Sequence, residues 1–503
     1  MAKLFANIDT NDYGDKFLND LTDKKKDIKK EDLYPFVDQY AGKSVTDLLI
    51  CLTCQYSIPE SKVLSDSIYK YEQESENGIP VNYKEYFRGI YKMYKEYGID
   101  PIKVWLDRCR EVNLTPWVSL RMNDCHCPDD ETCFLRPALF YEAREKGWMI
   151  GEKYGYFRYC LDYSVYEIRK MWLDYIDEQL YKYDVDGLEL DFQREIHCFD
   201  YINQPECYKI MNDFIREVKK IITKHEVIKG HKIMLGVRLN RDIEQNKVFG
   251  FDAVTWDEEK LVDMIVITPR WETNDSDMPV KAWKETLKNT EIYAGIETLI
   301  KSYSSRGHAT ADSIRGYANR YLSDGADAIY LFNYYPLPDS DLEGEKIRKA
   351  RSMDIFATCG NLDDVRSKPM RFIVTGQDIA PEGYNVYKPL PILLNGEKQN
   401  IKVNIGKLPA EKKVKLFIGI EAADASETEV KVFENKLNLS RENPKPSDMQ
   451  ENLTEGEIVC GCGYISNGTL TYSATVETLT SGEYEINFSG NKGKITYIEF
   501  YIE

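Results

Sequence analysis

The sequence predicts a (β/α)8 TIM barrel followed by an all-β antiparallel sandwich, and three observations carry that expectation. Eight apolar runs recur through the first 340 or so residues, each followed by a helical pattern, which is the signature of βα units around a parallel sheet. From about residue 370 the apolar positions change to period two, separated by Gly, Asn, Ser and Pro. A length of 503 residues holds both parts, since ordinary domain sizes allow roughly two to four domains.

The eight runs are 3–8 (KLFANI), 46–55 (TDLLICLTCQ), 115–121 (TPWVSLR), 186–192 (DGLELDF), 232–239 (KIMLGVRL), 262–268 (VDMIVIT), 291–297 (EIYAGIE) and 326–333 (ADAIYLFN). Between them lie amphipathic stretches such as 164–183, where Ile168, Trp172, Ile176 and Leu180 fall on one helical face. The spacing implies sizeable insertions after the second and third strands, where loops would stand over the catalytic mouth. The later runs 413–420, 429–433, 470–476, 483–488 and 494–502 alternate as half-buried strands do, so the division expected is a barrel over 1–365 and a sandwich over 366–503. All seven Trp precede the second part, which favours packing against the barrel over independent sugar binding for it.

The chain carries 66 Lys+Arg against 84 Asp+Glu, a net charge of −18 that repels phosphate backbones and anionic lipid and argues against nucleic-acid or membrane-surface partners. From Arg366 onward there are 16 basic and 19 acidic residues, net −3, leaving −15 on the barrel part. No apolar run follows the first basic residue, so the expected location is cytoplasmic, or else secreted with a leader trimmed. The twelve Cys are scattered, several inside apolar runs, which suits reduced thiols better than a disulfide framework.

In a TIM barrel the reacting groups sit at the C-terminal ends of strands. Strand four places Glu189 and Asp191 two residues apart, on one face, aimed into the mouth, with Arg194 as a nearby counter-charge. Strand seven ends in Glu297, and strand six runs into Arg270, Trp271 and Glu272. Glycoside hydrolysis needs two carboxyl groups, about 5 to 5.5 Å apart for retention or roughly 6.5 to 9.5 Å for inversion. Asp191 with Glu297, or Asp191 with Glu272, meets that need, and retention is slightly preferred. Trp271 offers an apolar face for a sugar ring. After strand three, Arg121, Asn123, Asp124 and His126 form a compact set of donors and acceptors for sugar hydroxyls.

Cys125, Cys127 and Cys133 with His126 also raise a zinc reading, weakened by a C-x-C-x5-C spacing that is not a usual zinc pattern. His197, His225, His231 and His308 read as helix or loop surface positions. With five His, no H-x-H or H-E-x-x-H, no G-x-S-x-G and no phosphate-binding glycine loop, metal-dependent, serine-nucleophile and nucleotide-binding chemistries lose support.

The strand ends resemble a known family. Gln55-Tyr56 with Pro59 and Ser61, Arg121-Met122-Asn123-Asp124 with His126, residues 186–192 with Arg194, and residues 325–333 are similar to the bacterial glycosyl hydrolase-like barrel proteins related to family-10-like glycosidases. The resemblance covers roughly residues 1–340 and implies a TIM barrel acting on glycosides. Strand four also resembles the chitinase strand D-G-x-D-x-D-x-E, with Glu189 and Asp191 at the inner acids and Gln193 where that family keeps its proton donor. The layout is similar to two glycosidase clans. One would make Asp191 or Glu195 the acid and Glu297 the nucleophile; the other would make Asp191 the nucleophile and Glu272 the acid.

The expectation is therefore a glycosidase using paired carboxylates without metal or cofactor. Asp191, Glu297 and Glu272 are its catalytic candidates; Glu189, Arg121, Asn123, Asp124, His126, Arg194, Arg238 and Trp271 are its contacts to a carbohydrate. Its rivals are a non-catalytic carbohydrate-binding barrel and a zinc-dependent barrel hydrolase.

Overall fold

The structure is a computed structural model and describes residues 3–54, 56–76, 86–126, 128–130, 133, 135–270, 273–334, 343–421, 428–442, 458–460, 463–465 and 469–503. Its strands in chain order begin β1 (Leu4–Ile8), β2 (Asp47–Cys51), β3 (Thr115–Arg121), β4 (Gly187–Asp191), β5 (Met234–Leu239), β6 (Met264–Ile267), β7 (Glu291–Glu297), the short β8 (Leu299–Lys301) and β9 (Ser305–His308), and β10 (Ala328–Phe332). All but β8 and β9 pair in parallel and close into a barrel, order β1-β10-β7-β6-β5-β4-β3-β2. Each of the eight apolar runs falls on one of these strands. They read as continuous apolar runs because both faces are covered, by helices outside and side chains inside, and β1, β2, β4 and β10 are buried at every position. Ile168, Trp172, Ile176 and Leu180 are the buried face of helix Tyr166–Lys182.

The barrel interior changes character from foot to mouth. At the foot Phe5, Trp117, Met264 and Tyr293 pack together, with the Phe5 ring 5.7 Å from Trp117 and 4.7 Å from Tyr293. Gly187 faces Trp117 in register, and a Cβ there would collide with the indole, so the bulkiest side chain of β3 sits opposite the residue of β4 that has none. Above this plug Ser119 of β3 stands in register with Glu189 of β4. Higher still, Arg121, Asp191 and Arg238 stand in register across β3, β4 and β5. Apolar floor gives way to charged mouth within four residues of each strand.

The C-terminal region forms antiparallel sheets. Six strands (Met370–Ile373, Ile392–Leu394, Val414–Glu421, Ser440–Glu442, Leu470–Val476, Gly493–Ile502) make one, and four (Gln399–Asn404, Glu429–Val432, Asn435–Lys436, Glu483–Ser489) another. The two meet where the rings of Tyr484 and Phe500 lie 4.9 Å apart. In Gln399–Asn404 buried Ile401 and Val403 alternate with exposed neighbours, as period two predicts.

Helix Ala311–Ser323 carries the junction between the two parts. Arg315 Nε donates to the Pro369 carbonyl (2.9 Å) and Tyr317 Oη to that of Ile373 (2.8 Å). Gly316 between them has no side chain, which lets the Arg371 backbone close on the helix. Residues 375–379 continue along the barrel mouth. Ser276 Oγ donates to the Thr375 carbonyl (2.7 Å), Gln377 Nε2 to Gln245 Oε1 (2.9 Å), and the Arg270 N–H to the Asp378 carboxylate (2.9 Å). A hairpin of Ile458–Cys460 and Gly463–Ile465 adds antiparallel to β9, extending a small sheet that starts at Leu299.

Candidate functional site

A cavity of about 240 Å³ opens at the C-terminal mouth of the barrel. Arg121 and His126 from the end of β3 and Arg194 beyond β4 line one side. Asp9 and Tyr13 after β1, Glu297, Thr298 and Leu299 at β7, and Asn333 and Tyr334 after β10 line the other. The long insertion after β2 contributes nothing to this lining among the described residues, and β3 supplies only Arg121 and His126, so the wall differs from the one the spacing suggested.

Glu297 ends β7 and is 1% exposed. Its backbone is fixed by Asn274, whose Oδ1 accepts the Glu297 N–H (2.8 Å) and whose Nδ2 donates to the Glu297 carbonyl (3.1 Å). Oε2 accepts the Thr298 N–H at 3.2 Å, while Oε1 has no hydrogen-bond partner among the described residues. Burial pushes this carboxyl up to about 8, against the opposing pull of Arg238 and Arg194. At neutral pH Glu297 is therefore mostly protonated, a buried acid on the cavity wall.

Asp9 is the second carboxyl lining the cavity, and the sequence reading missed it. Its Oδ2 accepts Arg121 Nη2 at 2.7 Å and its Oδ1 the Asn11 N–H at 3.1 Å. The available signal was a lone Asp immediately after the first apolar run. Asn7, Phe332 and Glu297 are in register across β1, β10 and β7, so one strand separates the two carboxyl-bearing strands. At about 4.8 Å per strand their backbones lie roughly 10 Å apart.

Asp191 sits in the charged layer but is not part of the cavity wall. Arg238 grips it bidentately, Nε to Oδ1 at 2.8 Å and Nη2 to Oδ2 at 2.9 Å, and the Arg194 N–H adds a bond to Oδ1 at 2.9 Å. The side-chain counter-charge is thus Arg238 on the next strand, where the sequence had suggested Arg194. The Arg238 guanidinium lies 3.7 Å over the Phe332 ring, and its Nη1 has no hydrogen-bond partner among the described residues. Glu189 lies one layer deeper, held by Ser119 Oγ (2.7 Å), Tyr330 Oη (2.9 Å) and Asn7 Nδ2 (3.2 Å). Burial first and the charge of Asp191 second push it up to about 7, the raised member expected of this carboxylate pair.

Asp124 is the hub of the β3 side. His126 Nδ1 lies 2.5 Å away, Arg194 Nε 3.6 Å and Arg121 Nη1 3.7 Å. Burial alone would raise its pKa, but His126, Arg194 and Arg121 beside it together hold it well below the usual carboxylate range. Arg194 Nη2 meets His126 Nε2, so that nitrogen accepts and the proton sits on Nδ1, toward Asp124. Asn123 spends its side chain on the backbone of neighbouring loops, with Nδ2 bonded to the carbonyls of Leu161 (3.0 Å) and His197 (2.9 Å) and Oδ1 to the Leu161 N–H (2.7 Å). Glu195 is held by Arg270 at 3.0 and 3.1 Å, and Gln193 Nε2 donates to the Thr268 carbonyl at 3.1 Å.

Trp271, Glu272 and Cys127 lie outside the described residues. Cys125 Sγ faces the Tyr156 carbonyl at 3.9 Å. A different set, Cys54, Asp124 and His126, brings its ligand atoms within 4.8 Å of one another. A cation there would face the guanidiniums of Arg121 and Arg194 beside Asp124. Two histidines expected at the surface are buried. His197 stacks on Phe157 at 4.1 Å and is pushed down to about 3 by burial, and His225 is 1% exposed beside Asp177. His308 lines the mouth cavity. Asn333 adopts φ +59°, a left-handed conformation uncommon outside glycine, at the point where the chain leaves β10 for the cavity wall.

The fold and mouth define a (β/α)8 barrel carrying buried carboxyls at its C-terminal face. No family model matches the chain, and no curated protein matches it. Solved structures similar to it include α-L-fucosidase isoenzyme 2 from Paenibacillus thiaminolyticus, at 9% identity and TM-score 0.43 over 74% of this chain and 51% of that one. Others are a glycoside hydrolase family 18 N-acetylglucosaminidase from Paenibacillus barengoltzii (11%, 0.40, 71% and 99%) and a putative α-L-fucosidase from Bacteroides thetaiotaomicron (10%, 0.34, 99% and 93%). The match spans about half the length of the first. The relation to family 10 suggested by the strand ends finds no support among them. Likenesses this distant carry no argument about chemistry, which rests on the site itself.

Proposed function

We propose that the chain is a glycoside hydrolase in which Glu297 is the proton donor to the leaving oxygen. One observation carries the reading: a buried carboxyl, mostly protonated at neutral pH, presents on the wall of the mouth cavity an oxygen with no partner among the described residues. Raising a carboxyl toward neutrality by burial is how a glycosidase keeps its acid charged with a proton. The ionised partner is Asp9, which shares the cavity and is oriented by Arg121. Asp191 is the alternative partner, because Arg238 grips it and is also close enough to Glu297 to lower its pKa.

Removing the acid should lower turnover about 10²- to 10⁴-fold, read as kcat/KM of Glu297→Gln on a panel of chromogenic glycosides. Azide tells the partners apart. A nucleophile changed to a neutral residue regains turnover with azide and yields a glycosyl azide, so rescue of Asp9→Ala or of Asp191→Ala names the residue. Wild-type turnover unchanged by Glu297→Gln would overturn the assignment. A second reading, a barrel that binds sugar without cleaving it, is favoured by the ion pairing of Asp9, Asp191 and Glu195 to arginines. It predicts no wild-type turnover on any glycoside.

A further inference from the structure

Among the described residues, four that are not glycine hold a left-handed backbone: Asn113, Lys260, Asn333 and Phe433. Three of them sit in turns. Asn113 lies between helix Pro101–Glu111 and β3, Lys260 follows helix Ala253–Glu258, and Phe433 joins the strands Glu429–Val432 and Asn435–Lys436. Asn333 instead follows β10 on the wall of the mouth cavity, the kind of place where backbone strain serves a site.

Strand alternation alone would keep its side chain out of the mouth. Ala328, Tyr330 and Phe332 of β10 face the barrel interior, so an extended residue 333 would turn outward to the helices. At φ +59° it leaves the extended path, and its Oδ1 comes to 3.5 Å from Arg121 Nη2. The same nitrogen donates to Asp9 Oδ2 at 2.7 Å, so Arg121 ties the amide to the cavity carboxylate. A guanidinium only donates, which sets the amide oxygen toward it and the NH2 end away. That NH2 makes no hydrogen bond among the described residues. β10 is the strand between β1 and β7, so this unspent donor stands between the strands that lead to Asp9 and to Glu297.

We propose that Asn333 seats the sugar at the bond being cleaved, its Nδ2 donating to the hydroxyl beside the anomeric carbon. Carboxyls that flank the scissile bond bring that hydroxyl to the ground between them, and a hydrogen bond to it strengthens as positive charge develops on the ring. This inference rests on the glycoside-hydrolase reading of the same cavity.

Asn333→Gly separates the contact from the turn. Glycine holds a left-handed backbone without steric cost, so the full-length variant should melt within a few degrees of the wild type, and Asn333→Ala, which keeps the strain and lacks the amide, should melt lower. Turnover is read on 4-nitrophenyl glucosides, galactosides and L-fucosides, each beside its 2-deoxy counterpart. Binding of glucose, galactose and L-fucose and of their 2-deoxy forms is read by calorimetry. Asn333→Gly should lower kcat/KM on a glycoside the wild type cleaves, and affinity for the matching sugar, by about tenfold or more, with a loss under about twofold on the 2-deoxy form. A glycine variant equal to the wild type in turnover and binding would overturn the proposal, leaving Asn333 a turn residue. One that melts far below the wild type would overturn it as well, making the amide a structural tie to Arg121. Equal losses on parent and 2-deoxy forms would overturn the part given to that hydroxyl. Weakened binding with no wild-type turnover would sink the hydrolase reading and leave Asn333 a sugar contact; turnover cut by Glu297→Gln but untouched by Asn333→Gly would do the reverse. A protein that neither binds nor cleaves any of these sugars would overturn both.

Discussion

The ends of β4 and β7 carry the same functional group in opposite surroundings. At β4, Asp191 meets a bidentate arginine and Glu195 beyond it meets another. At β7, Glu297 is equally buried, but its nearest hydrogen-bond partner is a backbone N–H on one oxygen. Burial is common to both regions; the matched guanidinium is not. The difference teaches that a carboxyl's partner at this mouth is set by which strand supplies a counter-charge in register.

The comparison can be broken at several points. Removing the guanidinium that answers the β4 carboxylate should have the largest effect. Arg238→Met leaves Asp191 a buried charge without its bidentate partner and should cost about 3–5 kcal/mol of stability, read by denaturant unfolding. Losing the cavity carboxylate comes next. Asp9→Asn should lower kcat/KM on any glycoside the protein cleaves by about 10²-fold, read at a temperature where circular dichroism shows the variant folded. Should Asp9→Asn prove neutral and Asp191→Asn severe, the ionised partner belongs at β4.

At β7 the expected sign is reversed. The Glu297 carboxyl ionises near 4.5 in an unfolded chain and at about 8 in the folded one. Between those values the unfolded chain gives up a proton that the folded chain keeps, so stability falls as pH rises through that window. Glu297→Gln removes the penalty and should melt roughly 2 °C or more above the wild type at pH 8, with the gap closing below pH 4.5. Wild-type activity should hold up to about pH 8 and decline above it, as the proton donor is lost. The smallest effect belongs to the deeper layer, where Tyr330→Phe deletes one bond to Glu189 and should cost about 1 kcal/mol.

The eight strands were legible because a barrel strand is covered on both faces and its run is continuous. Glu297, Arg121, His126 and Arg194 were legible because each follows such a run closely enough for the mouth to be its only destination. Asp9 follows a run just as closely, but its value lies in facing Glu297 across β10, and that closure joins the first strand to the last. Arg238 was visible as a mouth residue, yet its partner was not. The register of β4 on β5 pairs residues 47 positions apart, while sequence proximity pointed to Arg194, three away. The buried places of His197 and His225 depend likewise on what packs over them, which helical spacing does not report.

The strand β9, to which the hairpin of Ile458–Cys460 and Gly463–Ile465 adds, also sets a schedule. β9 ends at His308, and the hairpin that adds to it ends at Ile465, 157 residues later. At synthesis rates of about 5–20 residues per second, roughly 8 to 30 s separate the appearance of the two. Once β10 is complete at Phe332, all eight barrel strands exist while the sheet beside Glu297 still lacks its outer edge, so the mouth reaches its final form only after Ile465 has been made.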